Sequence, residues 1–130
     1  MTYDLIIKNG TCLLPSDSSE NYGLQRVKTN VAVKDGKIVE IGTLDNAEAE
    51  RVVDASGQFV LPGLVDTQVH FREPGNEHKE NLEMGTKGAA LGGITGVFEM
   101  PNTNPLTISA ESLQDKLDRM KGRAWTNLSC

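Results

Sequence analysis

LPGLVDTQVHFREPG, residues 61–75, decides how the rest of the chain is read. Pro62-Gly63 interrupts the pattern before it. The run from Leu64 to Phe71 then has a nearly continuous apolar start, as a strand buried on both faces requires. Residues i, i+2 and i+4 of a strand share one face. Asp66, Gln68, His70 and Arg72 are therefore predicted to project together. A carboxylate, an amide, an imidazole and a guanidinium on one face are costly inside an apolar core. They make sense as the lining of a polar cavity. His70 can bind a metal through a neutral ring nitrogen, since zinc prefers nitrogen and sulfur donors. Gln68 is a poor zinc ligand, because its amide oxygen is neutral. Asp66 is a structural hydrogen-bonder, a group that orients the metal's neighbours, or a more distant ligand. Arg72 offers a planar fork suited to a carboxylate. The plainer alternatives are a hydrogen-bonded structural role for His70 and a surface ion pair between Arg72 and Glu73.

Downstream, residues 77–93 (EHKENLEMGTKGAALGG) read as a helix closed by Gly92-Gly93. Gly85 and Gly88 inside it mark close approach to a neighbouring strand. ITGVFEMP (94–101) is the next strand. SAESLQDKLDRMKG (109–122) is a helix with Ser109 as N-cap, Glu111 in its first turn and Gly122 as its stop. Leu113, Leu117 and Met120 form its apolar stripe. RAWTNL (123–128) begins a third strand. Alternating strands and helices imply a parallel sheet with right-handed crossovers. Active sites of such sheets gather at the carboxyl ends of the strands. Both polar clusters of the chain stand there: His70-Phe71-Arg72, and Met100-Pro101-Asn102-Thr103. Asn102 and Thr103 are also good turn formers, and His78 reads as a solvated residue of a first helical turn.

Upstream, residues 1–62 read as short strands. DLIIKNG (4–10) is the first. NVAVKDGKIVEIG (30–42) is a hairpin, because Asp35-Gly36 between alternating apolar runs supplies the positive φ of a tight turn. RVVDASGQFVLPG (51–63) holds two more strands around Ser56-Gly57, and PSDSSENYGLQ (15–25) is a polar loop. This half is predicted to be a small antiparallel sheet or sandwich.

The bulk numbers exclude several classes. The chain has 130 residues, 38% of them hydrophobic, with 13 glycines, 5 prolines and a net charge of −5. It carries no basic stripe, so nucleic-acid binding has no support. No run reaches the roughly 18 apolar residues of a membrane span, and the start MTYDLIIKNG lacks the apolar core of a signal peptide. Cys12 and Cys130 are the only cysteines. They form no disulfide framework and are expected to be reduced, in a cytoplasmic protein.

VDTQVHFREPG followed by GAALGGITGVFEMPNTNP resembles the dihydroorotases of the cyclic amidohydrolase superfamily. DLIIKNG, VAVKDGKIVEIG and VLPGLVD extend the resemblance over most of the chain. Allantoinases and hydantoinases share the layout, but typically lack an Arg where Arg72 stands and an Asn-Thr where Asn102-Thr103 stands. The resemblance implies β-sandwich strands in residues 1–62, then the first two βα units and the start of a third strand of a (β/α)8 barrel in residues 63–130. It implies zinc-dependent, reversible cyclisation of N-carbamoyl-L-aspartate to L-dihydroorotate in pyrimidine biosynthesis. His70 matches the second zinc histidine of the family's first strand, and Arg72 and Asn102 match the residues that hold the substrate carboxylate. Gln68 stands where the first zinc histidine is usual, and weakens that metal site. A catalytically inactive dihydroorotase-like partner of aspartate carbamoyltransferase is therefore the second reading. An allantoinase or hydantoinase is the third. A barrel needs roughly 250 residues, so the chain is expected to be part of a longer protein. Its remaining zinc ligands and its catalytic residues would lie beyond Cys130. Residues 1–130 alone should be inactive. Their open strand edges should pair with the rest of the barrel or another chain, as in a homodimer.

Overall fold

Positive backbone φ at Asp35 (51°) and Gly36 (71°) makes the tight turn that the sequence announces. The computed structural model describes residues 2–129. They divide into two units at Pro62/Gly63. In the first unit, strand β1 (Tyr3–Pro15) is the spine. It pairs antiparallel with β2 (Leu24–Lys34), which pairs antiparallel with β3 (Lys37–Gly42) through the Asp35-Gly36 turn. Strands β4 (Ala49–Asp54) and β5 (Phe59–Val60) also pair with β1, but in parallel. The described residues of this unit thus form one mixed five-stranded sheet, ordered β3-β2-β1-β4 with β5 beside β1. This corrects the wholly antiparallel expectation. Both β4 and β5 return to the edge of β1 that β2 leaves free, which two-residue hairpins cannot do. Gly10 is required there, since a Cβ at that position would run into the Val60 side chain. Ile6, Ala32 and Leu44 are buried together on the sheet, with Tyr3, Ala47 and Ala49 against them. Cys12 is a buried free thiol; Cys130 lies outside the described residues.

The second unit begins with β6 (Leu64–Val69), followed by α1 (Leu82–Leu91), β7 (Ile94–Glu99), α2 (Ala110–Met120) and β8 (Asn127–Ser129). The three strands run parallel in the order β6-β7-β8. Phe71, Leu82, Val97 and Met120 form the core, with Val69, Ala89, Ile94 and Leu128 packed on it. Three expectations change. First, β6 is not buried on both faces. Leu64 and Val65 are 61% and 57% exposed, because among the described residues only β7 pairs with β6.

Second, α1 starts at Leu82, not near Glu77. Asn81 is extended and accepts a hydrogen bond from Met84 N at 2.8 Å, so it caps the helix. The polar run before it, including exposed His78, forms a turn with no apolar face to bury. Gly85 does mark close packing, since a Cβ there would stand 2.7 Å from the Phe71 ring, but Gly88 faces open space. Third, the buried face of α2 is rotated from its Leu stripe. Lys116 and Met120 are buried while Leu117 is 41% exposed. Ser109 caps α2 as read from sequence, in a reciprocal arrangement with Ser112. No helix among the described residues is long and apolar enough to cross a membrane.

Candidate functional site

Parallel pairing brings the carboxyl ends of β6 and β7 side by side. Val69 stands opposite Glu99, and Met100 N donates to Val69 O at 2.8 Å. The next residues along each chain then meet. His70 Nδ1 lies 3.0 Å from Asn102 Oδ1. A carbonyl oxygen only accepts, so Nδ1 is the donor in this contact, and Nε2 is the ring nitrogen left outside it. The imidazole is thus turned so that Nε2 is available for a proton or a metal.

The other predicted residues stand apart from this contact. Asp66 Oδ1 accepts from the backbone N–H of Gln68 at 3.1 Å. The pairing register shifts between Asp66 and Val69, so strict alternation does not carry Asp66, Gln68, His70 and Arg72 onto one continuous face. Gln68 and Arg72 are exposed. Arg72 does not pair with Glu73. The Glu73 carboxylate turns inward, is 3% exposed, and accepts from Leu82 N at 2.9 Å. Arg123 grips it with both nitrogens, Nη1 at 2.9 Å from Oε1 and Nη2 at 3.0 Å from Oε2. The Arg123 guanidinium holds the Glu73 carboxyl below the usual carboxylate range, against the effect of burial.

The two loops are locked together. Asn104 N donates to Pro74 O at 3.1 Å. Gly75, with φ of +102°, lies so close to Asn104 that a Cβ would strike its backbone. Thr103, buried, donates to Pro105 O at 3.0 Å. Beneath them Lys116 Nζ stands 2.7 Å from Glu99 Oε2. Burial pushes the Glu99 carboxyl above its usual range, opposed by Lys116.

Sequence reading missed Glu73 as an anchor, Arg123, Glu99 and Lys116. Two of them left a trace. Glu99 is an acid in an otherwise apolar strand, and Lys116 sits one position from Leu117 in the stripe of α2. Among the described residues no group of three His, Cys, Asp or Glu side chains can hold a metal ion. These side chains do not fit a complete zinc site. They offer His70 as one donor.

Known proteins resemble this chain over most of its length. The profile of the "Dihydro-orotase-like" family matches residues 57–129. An allantoinase of Escherichia coli O1:K1 / APEC is 48% identical over 95% of this chain and 25% of its own length. The structure of an L-hydantoinase (dihydropyrimidinase) from Arthrobacter aurescens superposes with a TM-score of 0.81, at 32% identity, over 98% of this chain and 27% of that one. An N-acyl-D-glutamate deacylase from Bordetella bronchiseptica, in complex with zinc and a phosphonate inhibitor, matches 76% of this chain and 19% of its own with a TM-score of 0.54 at 26% identity. The chain spans about a quarter of the length of the curated relatives it matches.

Proposed function

The chain belongs to the dihydro-orotase-like family, and from that premise we propose that the whole protein is a cyclic amidohydrolase opening a small ring ureide. The observation that carries this reading is the His70–Asn102 contact at the aligned ends of two parallel strands. Residues 63–130 would be the first strands of a (β/α)8 barrel, with that contact at its catalytic mouth. The names of the relatives favour allantoin, a hydantoin or a dihydropyrimidine as the ring. In this chain Asn102 turns the imidazole of His70 so that Nε2 faces the ring, and the Asn102 amide N–H donates to a ring carbonyl. Zinc, which the deacylase structure holds, would take His70 Nε2 as one donor and needs more donors than the described residues bring together.

A second reading keeps dihydroorotate as the ring. It is favoured by Arg72, which is exposed and has no side-chain partner among the described residues, and whose planar fork suits a ring carboxylate. The full-length protein offered allantoin, a 5-substituted hydantoin and L-dihydroorotate decides between them. Preferred turnover of the first two supports the main reading. Preferred turnover of dihydroorotate, with KM raised at least tenfold in Arg72→Ala, supports the second. Failure to open any of the three removes the cyclic amidohydrolase assignment.

A further inference from the structure

The described residues from Gly63 onward bury two carboxylates, Glu73 and Glu99, and neither belongs to the pair of side chains that meets at the strand ends. Glu73 follows His70 by three residues, and Glu99 precedes Asn102 by three. Each is held by a cation from α2 or the turn after it. Arg123 grips Glu73, and Lys116 in α2 meets Glu99. The α2 segment therefore holds both chain segments that bring His70 and Asn102 together.

The Glu99–Lys116 pair carries further of the two. The side chains are 0% and 1% exposed, and they meet as a close ion pair. Among the described residues no aligned hydrogen bond reaches Glu99 Oε1, Glu99 Oε2 or Lys116 Nζ. Two charges taken out of water recover that cost only when further hydrogen bonds complete them. An apolar pair of similar volume is often as stable or more so. Stability alone does not account for the pair. Its place does. Glu99 is the last residue of β7, opposite Val69, and the next backbone bond along the ladder runs from Met100 N to Val69 O. His70 and Asn102 stand immediately beyond.

We propose that Lys116, acting through Glu99, is a positioning residue that fixes the end of β7 so that Asn102 meets His70. The inference deepens the cyclic amidohydrolase reading and rests on it for its purpose. The carboxylate cannot leave Lys116 without remaining buried and uncompensated. The backbone of Glu99 is thereby pinned to α2, and Asn102 inherits a fixed distance from that pin.

The test uses the full-length protein with Lys116→Met, Glu99→Gln and the double substitution E99Q/K116M. The Lys116→Met protein should melt lower, because it strands a buried carboxylate. The double variant should regain the parental Tm. Turnover should not return with it. kcat/KM should stay down on the order of 100-fold, as a misplacement of about 1 Å costs. A readout independent of turnover is the ring Nδ1–H resonance of His70 in protein labelled with 15N-histidine. Asn102→Ala serves as the reference for a broken contact. The double variant should lose that resonance as Asn102→Ala does. Parental turnover and an intact resonance in a double variant of parental Tm would overturn the proposal. So would a double variant that stays as unstable as Lys116→Met, since the pair would then be a stability element. A parent that opens no ring amide removes the functional reading alone, and the His70 resonance then decides the positioning claim.

Discussion

The Glu73–Arg123 clasp makes part of the fold sensitive to acid. The folded carboxyl titrates below its unfolded value of about 4.3. Its contribution is therefore fully present above that value and is lost as pH falls through the lowered folded one. Melting temperatures recorded from about pH 7 down to about pH 3 should fall more steeply in the parent than in Arg123→Gln. Parallel slopes would show that the clasp contributes nothing. The same residues show what a local reading can see. His70 and Asn102 were legible because they are polar groups at the ends of apolar runs. Glu73 was not, because Arg123 lies 50 residues away and nothing in a local pattern connects them. The alternation from Asp66 through Gln68 to His70 and Arg72 is interrupted for a local reason as well, since β6 ends at Val69. The Asp66 side chain captures the Gln68 N–H, and the register shifts there.

Among the elements, α2 was read most closely, since its N-cap and its stop are both encoded in neighbouring residues. Ser109 accepts from Ser112 N at 3.2 Å, and Ser112 Oγ accepts from Ser109 N at 3.0 Å. Ser109→Ala should destabilise the protein by about 1 kcal/mol, and Ser109→Asp should restore most of it. Urea denaturation of both variants checks this, and an unchanged midpoint in the alanine variant would discount the cap. The rotation of α2 was hidden for an energetic reason. Periodicity weights Leu113, Leu117 and Met120 by hydrophobicity, but Lys116 follows its counter-charge inward. The start of α1 was hidden because its cap, Asn81, is also an ordinary turn former. Only the partner of its side chain tells the two apart.

At the scale of the molecule, the break at Pro62-Gly63, the Asp35-Gly36 hairpin and the alternation of strands and helices after Leu64 were all readable. The direction of β4 and β5 was not, since a strand's composition does not record which neighbour it faces. That direction sets an order of events in time. Along β1, Pro15 faces Leu24 across a short connection, whereas Tyr3 faces Ala49. Longer closures cost more chain entropy and slow the contacts that depend on them. The β1-β2-β3 meander should therefore assemble before β4 and β5 settle against it. In pulse-labelled hydrogen exchange during refolding, the amides of β2 and β3 should be protected before those of β4. Simultaneous protection would contradict that order. The spine strand would thus spend the early moments of folding with one edge already sealed and the other still in water.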